Sequence, residues 1–405
     1  MSERKQKLNI LFIASYYYPY EIGGAERMLK IHMEGLKKNG HNVSLLTLGP
    51  KAVNVKQSEI NNICVYRAPI KNVYWPKDPI KQNKIKKVIW HLIDIYNSRH
   101  NKDIDTIISK EKPNIIICEN IAGWSPAIWK HIATKKHIPI IQITHDCAFL
   151  CTFGIMYRDG KRCIQPCLKC RFLTNSYRNN AKYVKEFVFV SKSQFDTFQR
   201  AKFPMSSSNI IYNAEPIKLE EKKNIWSGNR AMRLGLLATL SEAKGVLKLI
   251  KAFKLLKGDF KLYLGGNPIS EVMHQQILDE IGTDKRITLC GYINSSKFFK
   301  FIDLTIAPSL AAESFGLIAI ESCAKQVPVI ASNFGGLSEI IKDGINGVHC
   351  NPTDVKSIAN SIQKLYDKPS LYKQLCYNTI DSVRDFSSTN KMITNIEQLC
   401  YKNIK

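Results

Sequence analysis

The stretch that decides the fold runs from LNILFIA (residues 8–14), through a loop holding Pro19, Gly23 and Gly24, to NVSLLTL (42–48). The first segment is a continuous apolar run, the pattern of a strand buried on both faces. A helical pattern follows over about 25–38, and Gly40 stands where a helix C-cap is expected. Residues 8–48 therefore read as one βαβ unit. Similar strands are predicted at 114–118, 139–144 and 187–190, with helical stretches between them. Alternating strands and helices imply a parallel sheet covered on both faces.

The pattern then restarts, with strands predicted at 233–238, 260–264, 287–289, 304–307, 328–331 and 347–350. The polar segment 213–229 looks like a linker. The reading is α/β, with two doubly wound Rossmann-like domains facing a central cleft. Their expected bounds are 1–213 and 214–388, and a last helix in 389–405 is expected to pack back on the first domain. Ligands should bind in the cleft, at the carboxyl ends of the strands.

A chain of 405 residues with 44% apolar residues suits two such cores. It has no apolar stretch long enough to span a bilayer. The basic segment 1–7 before the first apolar run resembles a signal peptide, but Asn9 interrupts that run and Tyr16 to Glu21 make a poor cleavage region. A cytoplasmic protein is expected, and its twelve cysteines are expected as thiols. The net charge of +25 is uneven: 34 basic against 16 acidic residues through Glu215 leave +18 there and +7 beyond. Such a basic half points to an anionic partner, either a membrane surface, a phosphorylated acceptor or a nucleic acid.

The strongest chemical signal is Pro308-Ser309, then Glu313-Ser314-Phe315-Gly316-Leu317, then Glu321, just after a predicted strand. A strand tip meeting a helix N-terminus exposes N–H groups that favour a diphosphate. Carboxylates there would repel phosphate, so Glu313 and Glu321 make most sense as acceptors for sugar and ribose hydroxyls. Eight residues apart, they are about two turns from each other on a helix and can face one ligand.

This acid-x7-acid element resembles the signature of glycosyltransferase family 4, and the likeness continues through Ala324, Pro328 to Ser332, Gly335-Gly336, Glu339 and Asp343 to Gly347. The resemblance implies the GT-B fold and a retaining transferase that needs no catalytic metal. It places Glu313 on the transferred sugar as a catalytic residue, with Glu321 on the ribose. Ser314, the backbone at Phe315 and Gly316, Leu317 and Lys244 would hold the donor. Lys244-Gly245 matches the family, but Thr239 stands where an Arg is usual, and Thr cannot supply its bidentate contact. Gln326 likewise stands at a usual Gly, which is read as a packing change.

In the first domain, Gly23, Gly24 and Glu26 resemble the family's early glycine loop, the glycines on the donor side and Glu26 on the acceptor side. His145 and Asp146 follow a buried strand. The family often carries His-Asp there, so the resemblance places His145 by the reacting sugar, with Asp146, on the acceptor side, or a backbone group fixing its tautomer. Cys151, Cys163, Cys167 and Cys170 have the spacing C-x11-C-x3-C-x2-C, either a structural zinc site or free thiols.

The stretch 71–96 mixes Tyr74, Trp75, Trp90 and Tyr96 with Lys71, Lys77, Lys81, Lys84, Lys86 and Lys87. It fits either an anionic membrane surface or an ordinary helix packed by Trp90. The expected partners are a nucleotide-sugar donor, a glycan or lipid-diphosphate-linked acceptor, and the inner face of a membrane. Rival readings are a GT-B sugar-nucleotide epimerase and an RNA-binding module. The second leaves the Glu313 to Glu321 block unexplained, which argues against nucleic acid.

Overall fold

Residues 6–20, 23–52, 54–78, 82–222 and 224–404 are described by the structure, a computed structural model. The first domain's strands are β1 (Asn9–Ala14), β2 (Asn42–Gly49), β3 (Lys56–Ile60), β4 (Ile63–Pro69), β5 (Ile115–Cys118) and β6 (Ile140–Thr144). A small hairpin, β7 (Tyr157–Arg158) and β8 (Lys161–Arg162), precedes β9 (Glu186–Phe189) and β10 (Ser208–Ile210). The sheet order is β10-β9-β6-β5-β1-β2-β4-β3, parallel throughout except for β3 against β4. Phe12, Ile117 and Ile141 are fully buried, as expected of strands covered by helices on both faces. The polar and mostly exposed β3 has no counterpart in the sequence reading, nor have β4 and β10.

The second sheet contains β11 (Met232–Leu237), β12 (Phe260–Gly265), β13 (Ile287–Gly291), β14 (Leu304–Ala307), β15 (Val329–Ser332) and β16 (Gly347–Cys350). Its order is β13-β12-β11-β14-β15-β16, all parallel. The two doubly wound domains read from the sequence are thus present.

The chain crosses between domains twice, after β10 and again before the last helix, Asn390–Ile404. That helix lies on the first domain. His41 accepts from the Leu8 N–H through Nδ1 (3.2 Å), which leaves Nε2 to donate to Glu397 at 2.9 Å. Tyr401 donates to the Gln6 carbonyl at 2.7 Å. Gln326 has a φ of 58°, in the left-handed region, so a glycine's backbone freedom rather than packing is what the usual residue supplies there.

Asp303 anchors the base of β14, the strand whose far end carries the Glu313 loop. It is fully buried and accepts two hydrogen bonds from Arg230 (2.6 and 2.9 Å), with Arg233 at 3.2 Å and the Lys222 ammonium at 3.6 Å. Burial pushes its carboxyl up, but the arginine hydrogen bonds and the Lys222 charge outweigh burial and hold it below its ordinary value. Removing one member of a buried ion cluster leaves uncompensated charge. Asp303→Ala is therefore expected to lower the unfolding free energy by ~3–5 kcal/mol in urea titrations. Because the folded carboxyl is depressed, its stabilisation is present above the unfolded carboxylate range and lost as pH falls through the folded value. The variant should accordingly lose less stability than wild type on acidification.

Candidate active site between the two domains

Three loops of the second domain stack backbone on backbone below the cleft. After β11, a short turn, Glu242–Lys244, ends at Gly245 with φ 74°, and a Cβ there would stand 2.1 Å from the Pro308 carbonyl oxygen. After β15, a Cβ on Gly336 would stand 2.4 Å from the Phe315 carbonyl oxygen, and the Gly336 N–H donates to the Glu313 carbonyl at 2.7 Å. Only glycine permits these two approaches.

They bring Lys244 to Glu313. The Lys244 ammonium donates to Glu313 Oε1, which also accepts from the Ser309 hydroxyl at 2.7 Å. Burial pushes the Glu313 carboxyl up, yet the charge and hydrogen bond of Lys244, with Ser309, bring it below its ordinary value. Each of the two is the other's counter-ion, so they act as a unit at the cleft.

The rest of the motif divides between site and scaffold. Ser314 offers its carbonyl to the Ser191 hydroxyl of the first domain. The Phe315 ring turns into the domain crossing, 6.1 Å from Tyr212 and 5.8 Å from Phe386. Gly316 caps the helix Leu317–Cys323, and Leu317 Cδ1 faces Gly24 across the cleft, 3.3 Å from where a Cβ would sit. Glu321 Oε1 lies 2.7 Å from Arg27 of the first domain, and Arg27 also reaches Glu215 at 2.9 Å. Thr239 is exposed.

On the facing side, His145 Nε2 lies 2.7 Å from Glu119 Oε2, while the other carboxylate oxygen lies 2.8 Å from His32 Nδ1. Glu119 is buried, and the His32 and His145 rings lie parallel to within 20°. Burial pushes Glu119 up, but the two imidazoles outweigh it and draw its pKa down to about 2. Burial likewise pushes His145 down, and Glu119 above all reverses this, so His145 holds its proton above its ordinary range.

The partner that orients His145 is thus Glu119 and not Asp146. The Asp146 carboxylate instead accepts from the Ala148 N–H at 2.7 Å and shapes the turn after β6. Glu26, read as facing the acceptor, accepts from the Gly23 N–H at 2.8 Å and caps the helix Gly24–Lys38. It also lines a small recess with Tyr16, Asn120 and His145.

A larger cavity of about 640 Å³ opens on Glu313 and Ser314 from the second domain and on Lys192, Gln194 and Arg200 from the first. It reaches neither Lys244 nor Glu321. The sequence reading missed Glu119, His32 and Arg27, and it named Ser309 in the motif without giving it a role. Glu119 follows β5 as His145 follows β6, at the strand end that faces the cleft, and that position was the available signal. Nothing in the local sequence marks Arg27.

The four spaced cysteines lie in one region beside the cleft. The Cys170 thiol neighbours those of Cys151 and Cys167, and Cys163 sits near Cys151 and Cys167. The Cys170 N–H, then Arg158, lower the Cys167 thiol pKa. Among the described residues no three metal-ligating side chains converge to hold an ion, so no metal geometry is assigned. The insertion they shape carries the β7–β8 hairpin onto the second domain. There Tyr157 packs against Leu310, Ala311 and Ala243, and the Arg162 guanidinium lies 4.2 Å from the Phe334 ring centre. Since Glu119 raises His145, Glu119→Gln should move the His145 imidazole titration, followed by NMR, to lower pH. An unchanged titration would remove Glu119 as its positioning partner.

Residues 220–381 match the family model of glycosyl transferases group 1. An uncharacterized 42.6 kDa protein in the cps region of Klebsiella pneumoniae is 27% identical over 334 residues, 82% of this chain and 87% of that protein. A lipopolysaccharide 1,2-N-acetylglucosaminetransferase of Salmonella typhimurium is 31% identical over 214 residues, 47% of this chain and 54% of that enzyme. Anabaena HepE, solved in complex with UDP and glucose, superposes with a TM-score of 0.70 at 15% identity, covering 98% of this chain and 100% of that one. This chain has the GT-B fold, and its second domain carries the match to glycosyl transferases group 1.

Proposed function

We propose that the chain is a retaining, family 4-like hexosyltransferase that moves a sugar from a UDP- or GDP-sugar to a glycan or lipid-linked saccharide in surface polysaccharide synthesis. One observation carries this reading: Glu313 and Glu321 both face the interdomain cleft, one paired with Lys244 and the other with Arg27. A nucleotide sugar has groups for both positions, with hydroxyls for the carboxylates and a diphosphate for the lysine. The UDP and glucose bound by HepE and the saccharide named for the Salmonella enzyme fit the same donor and acceptor classes.

In this mechanism Lys244 and the backbone near Phe315 stabilise the diphosphate as the glycosidic bond breaks. Preorganised charge aimed at a leaving group is a large term in catalysis. The acceptor hydroxyl attacks the face from which the diphosphate leaves and passes its proton to the departing phosphate oxygen, and no step is assigned to a divalent ion. His145, held by Glu119, contributes an N–H or ring nitrogen to a sugar hydroxyl without reorienting.

Calorimetric titration and thermal shift against UDP-, GDP- and ADP-sugars test the donor site. One nucleotide should stabilise the wild type, and Glu321→Ala should lose that response. Glu313→Ala is expected to cut turnover by ~10²-fold or more, the scale of losing one preorganised contact. Near-normal turnover would overturn the site.

A further inference from the structure

The helix Lys84–Asp94 carries an apolar face that no protein covers. Only Trp90 and Asp94 of its residues are buried. Trp90 passes its backbone carbonyl to Asn72, and Asp94 accepts from the Gly123 N–H at 2.8 Å, so the helix is fixed to the loops after β4 and β5. On its other side Ile85 is 71% exposed, with Val88, Ile89 and Leu92 also exposed. These positions recur at the spacing that puts them on one face.

The sequence reading left this stretch either to a membrane surface or to a helix packed by Trp90; Trp90 is buried and packs the helix, while Trp75 is buried against Tyr16 and Tyr20. Lys84, Lys86 and Lys87 are all exposed among the apolar residues, and the first turn holds no acid. Lys81 lies outside the described residues.

A second helix, Leu168–Asn180, lies in the same domain, within electrostatic range of it. The Lys169 charge is felt at His91, and that of Asp94 at Tyr177. This helix opens with Leu168 84% exposed and Phe172 68% exposed, four residues apart on one face, with Lys169 and Arg171 between them. Exposed apolar residues clustered this way mark an interaction surface. Lysines set among them select an anionic bilayer, where apolar side chains enter the interface and ammonium groups meet lipid phosphates. No helix among the described residues is long and apolar enough to cross a membrane, so contact would lie in the plane of one leaflet.

We propose that the exposed faces of helices Lys84–Asp94 and Leu168–Asn180 dock the protein on an anionic lipid bilayer. The docked face belongs to the domain that carries Glu119 and His145, so a lipid-linked acceptor would approach the cleft from the surface that holds it. That corollary rests on the proposed function; docking itself does not.

Flotation of the full chain with phosphatidylglycerol/phosphatidylcholine vesicles and with phosphatidylcholine alone tests the proposal. Binding is expected to the anionic vesicles and to weaken with salt. Ile85→Glu/Leu92→Glu and Lys84→Glu/Lys86→Glu/Lys87→Glu should each weaken binding roughly tenfold or more. Circular dichroism and nucleotide-sugar thermal shift should stay unchanged, because these side chains are exposed and away from the Glu313 loop. Failure of the wild type to bind, or equal binding by the variants, would overturn the proposal. So would a dimer that Ile85→Glu/Leu92→Glu turns into monomers while vesicle binding persists. The readout needs no turnover, so it fails independently of the donor assignment.

Discussion

Three aromatic rings hold the molecule's two halves in register. Tyr212 comes from the first crossing of the chain between domains, Phe386 from the second, and Phe315 from the loop that carries Glu313, all with centres about 6 Å apart. Two connections alone would let the domains swing freely. Seating a ring of the site loop between them makes the loop part of the joint. The position of Glu313 is therefore set by the hinge as well as by β14.

Within that frame the cleft is organised by carboxylates that are buried or half-buried, each with its own partners. Glu313 has Lys244, Glu321 has Arg27, and Glu119 has two imidazoles. A buried carboxylate without partners would neutralise itself by taking up a proton. Pairing instead favours the ionised form of Glu313 and Glu119, and it orients all three, at the cost of ordering long side chains. The partners come from different elements and, for Glu321, from the opposite domain. The site is thus complete only when the two halves face each other.

Much of this was legible in the sequence. Apolar runs such as 8–14 and 304–307 announce parallel strands, because a strand covered on both faces has no polar alternation to confuse it. The Glu313 to Glu321 block is local, so spacing alone places it at a strand tip. The edge strand β3 could not be read, since its residues are polar and mostly exposed and only pairing with β4 makes it a strand. The pairings of Glu119 and Arg27 were illegible for a different reason. Their partners lie far away in sequence, and local pattern carries no record of a contact made across a sheet or a cleft. Asp146 shows the converse, a neighbour in sequence that serves the turn rather than the histidine beside it.

The contacts joining the domains are crowded on one side. Glu339 accepts from the Lys192 and Ser193 N–H groups and from the Tyr212 hydroxyl, Ser191 meets Ser314, and the β7–β8 hairpin reaches Ala243, Leu310 and Phe334. All of these first-domain groups lie in or beyond the segment after β6, towards the β9–β10 edge of its sheet. Arg27 and Gly24, nearer the middle, meet Glu215, Glu321 and Leu317 of the second domain. Mechanically the cleft is pinned along one edge: separating the domains would break many contacts on the β9–β10 side, and nearer the middle the Arg27 ion pairs.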